Sequence, residues 1–499
     1  MLGPPVSLAH QPPRQTGRLL ACMALALFLG LPALAGARPG SADDFFVVLV
    51  YARNLLEGHG FVHQIGGPAV DGFTSPLDLA WKTAALALAP RDGVLAAWAS
   101  TSLAYLGALL TAGWAAARCT SSVEPGLRWP LGLLTAAALA LCPGLAEGTA
   151  YLLEAPLVGM LWIGLLGLMA GAPRDGWRLP LGLCVLLLLA RPEGLVLGSL
   201  TLVFLTSKEQ RGRSLLIWAG VVAAFILARL ALFGTLAPNA YYAKASDSRL
   251  NELVDGVRYV RLFLASSMGL AVFGCWLLGL AAAARGKARL GPSVCATAAL
   301  AVVIVSGGDG YLGTRLLLPF TLAAILSAAA ALSESSGLLR TLLLVGLASF
   351  PALLAETLPF NLYSTGLSPS AMALRGSHFP GERRLAERLA QVQPPQTLGH
   401  LHLQSAAWFA PGLAVLDLSG LNDPKIAHLP APGPVAFGRE ALEYGLEQGV
   451  TVLHLSPGRT DPMQLAGLDL NQILADPQQA RTFFGNLQLP PERVALLST

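Results

Sequence analysis

Charge is what this sequence lacks. Of its 499 residues only 12% are Asp, Glu, Lys or Arg, while 54% are hydrophobic. Soluble domains carry roughly 25% charged residues, so a water-soluble fold for the whole chain is excluded. Cysteine is nearly as scarce: the six (Cys22, Cys119, Cys142, Cys184, Cys275 and Cys295) all precede residue 358, and no CxxC pair occurs. Neither a disulfide framework nor a cysteine metal site is suggested. The cysteine-free remainder needs no bridge to persist in an oxidising compartment. The net charge is only +4 and the basic residues lie mostly in short loops, so no nucleic-acid footprint is visible. There is no internal repeat, and no low-complexity tract beyond the Pro-rich first 13 residues.

What is abundant is apolar sequence, in runs suited to crossing about 30 Å of hydrocarbon. The runs recur from residue 18 to about 358 and then stop. Residues 18–37 are compatible with a signal peptide, since "ALAGA" resembles a cleavage site; the many later spans make an uncleaved first helix the natural alternative. The other runs are 94–117, 129–145, 155–171, 179–190, 194–206, 215–233, 260–283, 291–306, 314–333 and 341–358. That makes about eleven spans.

Alternate loops are basic: Arg118 and Arg128; Arg174 and Arg178; Lys208, Arg211 and Arg213; Arg285, Lys287 and Arg289; Arg340. The positive-inside rule puts these on the cytoplasmic side. The register closes only if "PLDLAWKTAALALA" (76–89) does not span. As a helix it is about 21 Å long at ~1.5 Å per residue, and it carries Asp78 and Lys82. Ser75 as N-cap, Pro76 in the first turn and Asp78 three past the cap form a good helix start. We expect an interfacial helix lying on the outer face. Asp43, Asp44, Glu154, Arg191, Glu193, the 234–258 loop, Asp309 and everything after 358 then share the outer side.

The expected architecture is an all-α polytopic membrane bundle over residues 1–358, with an outer loop and juxtamembrane helices at about 41–90. A soluble α/β domain is expected at 359–499. There, helices predicted at 381–392 and 438–449 alternate with the apolar runs "TLGHL", "LAVLDL" and "VTVLHL".

The stretch "SADDFFVVLVYARNLLEGHG" (41–60) places two acids where the chain leaves the first span. Ser41 can cap a helix whose third residue is Asp44. Phe45, Val48, Leu49, Ala52, Leu55 and Leu56 form an apolar stripe, with Asp43, Arg53, Asn54 and Glu57 largely off it. One reading is that the acids complement the helix dipole, worth about 0.3–1 kcal/mol. The other is chemical. A carboxylate at the bilayer surface can take a proton from a hydroxyl acceptor, and its neighbour can orient that acceptor or hold a divalent cation.

"ADDFFVVLVYARNLLEGHGFVHQIGGPAVDGFTSPLDLAW" resembles the first outer loop of GT-C glycosyltransferases, within them the bacterial branch that includes the terminal arabinofuranosyltransferase. The resemblance continues in order through "LARPEGLVL" (189–197), "LFGTLAPNAYYAK" (232–244), "GVRYV" (256–260), "GGDGYLGTRLLLP" (307–319) and "VLDLSGLNDPKIAH" (415–428). It implies an inverting transfer on the outer face of the bacterial inner membrane. The donor would be a polyprenyl-phosphate sugar and the acceptor an envelope glycan, lipid or protein. Asp43 would be the general base, and Asp44 its partner.

The leaving phosphate calls for cations. Arg191 and Lys244, then Arg315, are the candidates, Arg by its two-toothed fork and Lys as a point charge. Arg53, Glu154, Glu193 and Asp309 are candidate substrate-binding residues. Asp43, Asp44 and Glu154 could supply oxygen ligands to Mg²⁺ or Mn²⁺.

Each has a plainer reading beside it. Arg191 and Glu193 can pair across a helix–helix turn, Lys244 can snorkel from a span's end, and Asp309 with Arg315 can form a structural ion pair. Glu154 opens a span, where charge costs at least ~2.5 kcal/mol, so it should face a wet cavity. His59 can simply shape a turn, and Tyr241 and Tyr242 can be interfacial anchors. The chain departs from the family pattern twice, lacking a Gly-Leu-Glu-Thr string at Glu154 and reading "GHLHLQSAAWF" where a Gly-Tyr turn is expected. Whether Trp408 and its neighbours bind a glycan acceptor or form a structural lid stays open. A lipid-linked-glycan transporter is the rival of another class, although transporters favour midplane charges and repeated halves. A catalytically silent scaffold on the same fold is the third.

Overall fold

The computed structural model describes residues 13–36, 44–90, 92–121, 123–169, 176–244, 248–286, 290–308, 315–334, 378–400, 404–429, 439–454, 464–465 and 468–469. Asp43, Asp309, the expected span at 341–358 and the expected domain boundary lie outside them. The helices run α1 (Pro13–Gly36), α2 (Asp44–Leu56), α3 (Pro76–Leu88), α4 (Gly93–Cys119), α5 (Pro125–Ala140), α6 (Pro143–Ala150), α7 (Ala155–Met169), α8 (Arg178–Ala190), α9 (Gly194–Leu205), α10 (Lys208–Phe233), α11 (Asn239–Tyr242), α12 (Arg249–Leu264), α13 (Ser267–Ala284), α14 (Leu290–Val305) and α15 (Leu318–Glu334).

Local chemistry sets many of these boundaries. The Ser75 hydroxyl accepts from the Asp78 N–H at 3.1 Å, opening α3 with Pro76 in its first turn. Asp92 caps α4 through the Leu95 N–H at 2.9 Å. Ser266 accepts from Gly269 N–H at 3.0 Å and starts α13. The apolar run 260–283 is therefore two helices meeting at a cap, not one span. A side-chain oxygen that satisfies an orphan N–H competes well with continuing the previous helix.

Four stretches among the described residues are long and apolar enough to cross a membrane: Gly93–Cys119, Pro125–Ala150, Lys208–Phe233 and Ser267–Ala284. Six further apolar helices are shorter, at 10–17 residues. About eleven spans were expected, and several of those runs form helices that meet the apolar criterion but not the length. The core gathers around α4, α7 and α15, where the Trp162 indole N–H reaches the Pro319 carbonyl at 2.9 Å. Helices α1 and α4 touch closely enough that a Cβ on Gly113 would lie 2.4 Å from the Met23 Cα. Small residues permit this approach, on which packing between apolar helices depends. Helix α10 is the opposite case, with Leu216, Leu227 and Leu232 turned outward.

Helix α3 has two faces, one exposed with Trp81 and Leu88 turned outward, the other buried. It packs against α2, α4 and α8, and Lys82 has no exposed surface. The i,i+4 spacing of Asp78 and Lys82 lets the two charges turn inward together as an ion pair. Only paired could they be buried there, since an isolated charge in such a place costs several kcal/mol.

After residue 377 come α16 (His378–Gln391), β1 (Thr397–His400), α17 (Ala406–Phe409), β2 (Ala414–Asp417), α18 (Arg439–Glu447) and β3 (Val452–His454). The strands form a parallel sheet in the order β2-β1-β3, with His400 opposite Asp417. This segment is packed onto α2 and the loop that follows it. Val50 of α2 is buried with Leu398, Ala406 and Val415, and the Phe46 ring lies 5.4 Å from that of Phe409. The Gln64 side chain accepts from Val415 N–H at 3.1 Å.

Arg53 belongs to this junction. Its guanidinium donates to the Trp408 and Ala407 carbonyls at 3.1 and 3.2 Å and lies 5.4 Å from the Trp408 ring. A cation over an indole face, with carbonyls at its edge, is an anchor between segments. Arg53 does not line the cavity described below. Trp408 is likewise occupied, packed against Phe46 and Arg53.

His63 is buried at the same junction. Burial pushes its imidazole down to about 4, with Asp417 opposing and His400 and Arg53 adding to the effect. In the unfolded chain the ring titrates near ~6.5. Between those values the unfolded chain binds a proton that the native state does not, so stability falls as pH drops through that window. We expect the melting temperature of the detergent-solubilised protein to fall from pH 7.5 to pH 5. His63→Gln should shrink that fall, and an unchanged pH dependence would remove His63 as its source.

Candidate functional site

One cavity of about 430 Å³ opens among the ends of several helices. Six charged side chains line it: Asp44, Glu154, Arg191, Glu193, Lys244 and Arg315. Much of the remaining wall is apolar, with Val47, Phe73, Val196, Val302 and Leu316 among its side chains.

The chain delivers each charge by a local device. Asp44 is the first residue of α2. Glu154 follows a turn in which Leu152 takes a φ of 55°. A bulky residue in the left-handed region is held there by its surroundings. Here the Leu152 side chain is buried with Phe45, Phe46, Leu49 and Ala97. That anchor reverses the chain between α6 and α7 and turns Glu154 into the cavity. Arg191 ends α8 in an extended conformation and Glu193 precedes α9. Lys244 follows α11, and Arg315 precedes α15.

Three of these groups form a closed cluster. Arg191 donates from Nε and Nη2 to the two Glu193 oxygens at 2.9 and 2.7 Å, and from Nη1 to Glu154 Oε1 at 2.5 Å. Burial pushes both carboxyls up, but Arg191 outweighs it in each case, with Arg315 helping at Glu154, and both stay below the ordinary glutamate value. Burial lowers the guanidinium while Glu193 and Glu154 raise it further, and the net direction is upward. The cluster therefore stays charged at neutral pH. Three of the five N–H groups of Arg191 are engaged by carboxylates, so it acts first as a strut between Glu154 and Glu193. Lys244 and Arg315 bring the cavity's other two positive charges. Three acids then face three bases.

His59 lies away from the cavity, its Nε2 3.7 Å from Glu57. Tyr241 lines the cavity, whereas Tyr242 stacks on His428 at 4.5 Å. Asp43 and Asp309, being outside the described residues, have no position to report.

Sequence reasoning passed over the elements that brace the wall. Asp71 and Arg229, 158 positions apart, form a buried ion pair. Asp71 also accepts from the Asn239 backbone N–H at 3.1 Å. A lone Arg inside the apolar run 215–233 was the available signal, because such a charge needs a partner. Gly72, Phe73, Thr74 and Leu421 line the cavity without any local mark of doing so.

Of the candidate cation ligands Asp43, Asp44 and Glu154, the first lies outside the described residues. Asp44 and Glu154 share the cavity, but one Glu154 oxygen already holds Arg191. Among the described residues no three His, Cys, Asp or Glu side chains come together as a ligand set.

No protein-family model matches the chain, and no curated protein does. Among solved structures it is similar to ArnT from Cupriavidus metallidurans in the apo state, at 14% identity and a TM-score of 0.49, over 80% of this chain and 86% of that one. The same protein bound to undecaprenyl phosphate matches at 14% identity and a TM-score of 0.48, over 82% and 89%. A likeness of this size assigns the present chain neither a family nor a ligand.

Proposed function

We propose that this chain is an integral-membrane inverting glycosyltransferase that moves a sugar from a polyprenyl-phosphate donor to an envelope glycan, lipid or protein on the outer face of a bacterial inner membrane. The observation that carries the reading is the single cavity holding Asp44, Glu154, Arg191, Glu193, Lys244 and Arg315 between apolar walls. An amphiphile with an anionic head suits such a lining. The ordered resemblance of the sequence strings to GT-C glycosyltransferases supplies the reaction class.

In this scheme the acceptor hydroxyl gives its proton to Asp43 as its oxygen bonds to the anomeric carbon. The bond from that carbon to the phosphate oxygen breaks on the opposite face, and polyprenyl phosphate departs with the negative charge. Lys244 and Arg315 oppose that charge as it develops. Arg191 holds Glu154 and Glu193 in place to bind sugar hydroxyls. Asp44 orients the acceptor.

The six charges sit at helix ends and in turns rather than at mid-helix breaks. That favours transfer at the membrane surface over transport through the bilayer. Deleting the gene and profiling lipid-linked sugars tests the choice. A transferase deletion accumulates a polyprenyl-phosphate monosaccharide and loses one glycan linkage. Retention of every linkage, with a finished lipid-linked glycan trapped on the cytoplasmic side, would replace this reading with the transporter.

A further inference from the structure

The cavity wall is not built by the membrane helices alone. Leu421, from the segment that follows the parallel sheet's second strand, lines it beside Gly72, Phe73, Thr74, Pro238, Ala240 and Tyr241. That segment is keyed in by buried polar contacts. The Asn239 side-chain amide donates to the carbonyls of Gly420, Leu421 and Asp423 at 2.7, 3.0 and 3.3 Å. The Asn239 backbone N–H meets Asp71, itself paired with Arg229. On the other flank the Tyr51 hydroxyl donates to Asn422 Oδ1 at 3.3 Å and accepts from Gly72 N–H at 3.1 Å. Asn422 is held in turn by Asp417 and Gln404.

The fit leaves no slack. A Cβ on Gly72 would lie 2.0 Å from Asn422 Oδ1 and 2.9 Å from the Leu421 carbonyl oxygen. Gly420 turns with a φ of 77° against the Ala427 backbone. Leu421 itself is half-buried. So a side chain more than 400 positions along the chain is fixed, by backbone contacts rather than by its own packing, at the edge of a cavity whose charges come from residues 44 to 315. Asn239 touches three carbonyls of this one loop, and no other side chain among the described residues bonds so many of them.

We propose that the loop Leu418–Asn422 is a permanent wall of the binding cavity, with Leu421 as the side chain that limits what the cavity admits and Asn239 as the residue that positions it. The inference rests on reading the cavity as a polyprenyl-phosphate site and deepens it. The site is incomplete without the C-terminal segment. Asn239 acts through Leu421 and does not touch the ligand. An aliphatic side chain at this edge offers no hydrogen bond, so its selection is by shape, against bulk next to the phosphate-bearing end.

The six native cysteines are buried, so a single introduced thiol can be followed in the full-length detergent-solubilised protein. Leu421→Cys and, on a wall without C-terminal residues, Val196→Cys are each labelled with a small maleimide, with and without undecaprenyl phosphate. Both should be slowed several-fold by the lipid. Protection at Val196→Cys with none at Leu421→Cys removes the loop from the site while leaving the proposed function standing. Protection at neither position removes both.

Asn239→Ala, or Gly72→Ala should the former not fold, is then added to each thiol variant. Protection should be lost at Leu421→Cys and kept at Val196→Cys. Loss or retention at both positions together would mean that Asn239 does not position the loop. Finally, Leu421→Trp should weaken undecaprenyl phosphate binding at least tenfold and Leu421→Ala should not; equal binding by the two would end the selectivity claim.

Discussion

Asp43→Asn should slow sugar transfer by about 10²–10⁴-fold, the range a positioned general base contributes. The substitution also separates two readings of the acidic pair. The expected cap is Ser41 rather than Asp43, so the substitution removes the charge and leaves the capping hydroxyl in place. If the acids only complement the dipole of α2, the loss is about 0.3–1 kcal/mol of stability, with transfer unaffected. If Asp43 takes the acceptor proton, turnover collapses and the melting temperature barely moves. Asp44→Asn should behave differently, because Asp44 lines the cavity and serves as the orienting partner. Its loss should raise the acceptor KM more than it lowers kcat. The assay is transfer in membranes of a deletion strain complemented by each variant, read as the glycan linkage restored. Restoration of wild-type glycan by Asp43→Asn would remove the base assignment.

Arg191→Met should destabilise the protein by about 3–5 kcal/mol, the usual cost of stripping one partner from a buried ion cluster. The reason is in the geometry: Glu154 and Glu193 would both keep buried negative charges after losing the guanidinium that pairs with each. Denaturation in detergent at neutral pH measures it. The triple replacement Glu154→Gln, Arg191→Met, Glu193→Gln should recover most of the lost stability, since removing a whole buried cluster is often nearly neutral. It should recover no transfer, because the groups proposed to bind sugar hydroxyls are gone. A triple variant that transfers sugar normally would reduce the cluster to a structural pin.

Those two experiments touch what was visible in the chain and what was not. Asp44, Glu154, Arg191, Glu193, Lys244 and Arg315 could be gathered on one side by counting apolar runs and basic loops, because a membrane sorts charge by side. The same counting placed 76–89 at an interface but gave no sign that Asp78 and Lys82 turn inward together. It also gave no sign of the contact between Arg53 and Trp408. Both were decided by what packs above them: α2, α4 and α8 around Lys82, and the Trp408 ring over Arg53. No local pattern carries that information.

The sequence alone therefore determined the apolar runs, the Ser75 cap, the scarcity of charge and the places where charge is tolerated. Each of these is a property of a few neighbouring residues and their solvent. Only the tertiary structure decided which charges meet. Glu154 with Arg191, Asp71 with Arg229 and Asn239 with the 420–423 loop join positions 37, 158 and more than 180 apart. Such contacts exist only once the intervening helices have packed, for a hydrogen bond is short-ranged and periodicity along the chain says nothing of who stands across the cavity.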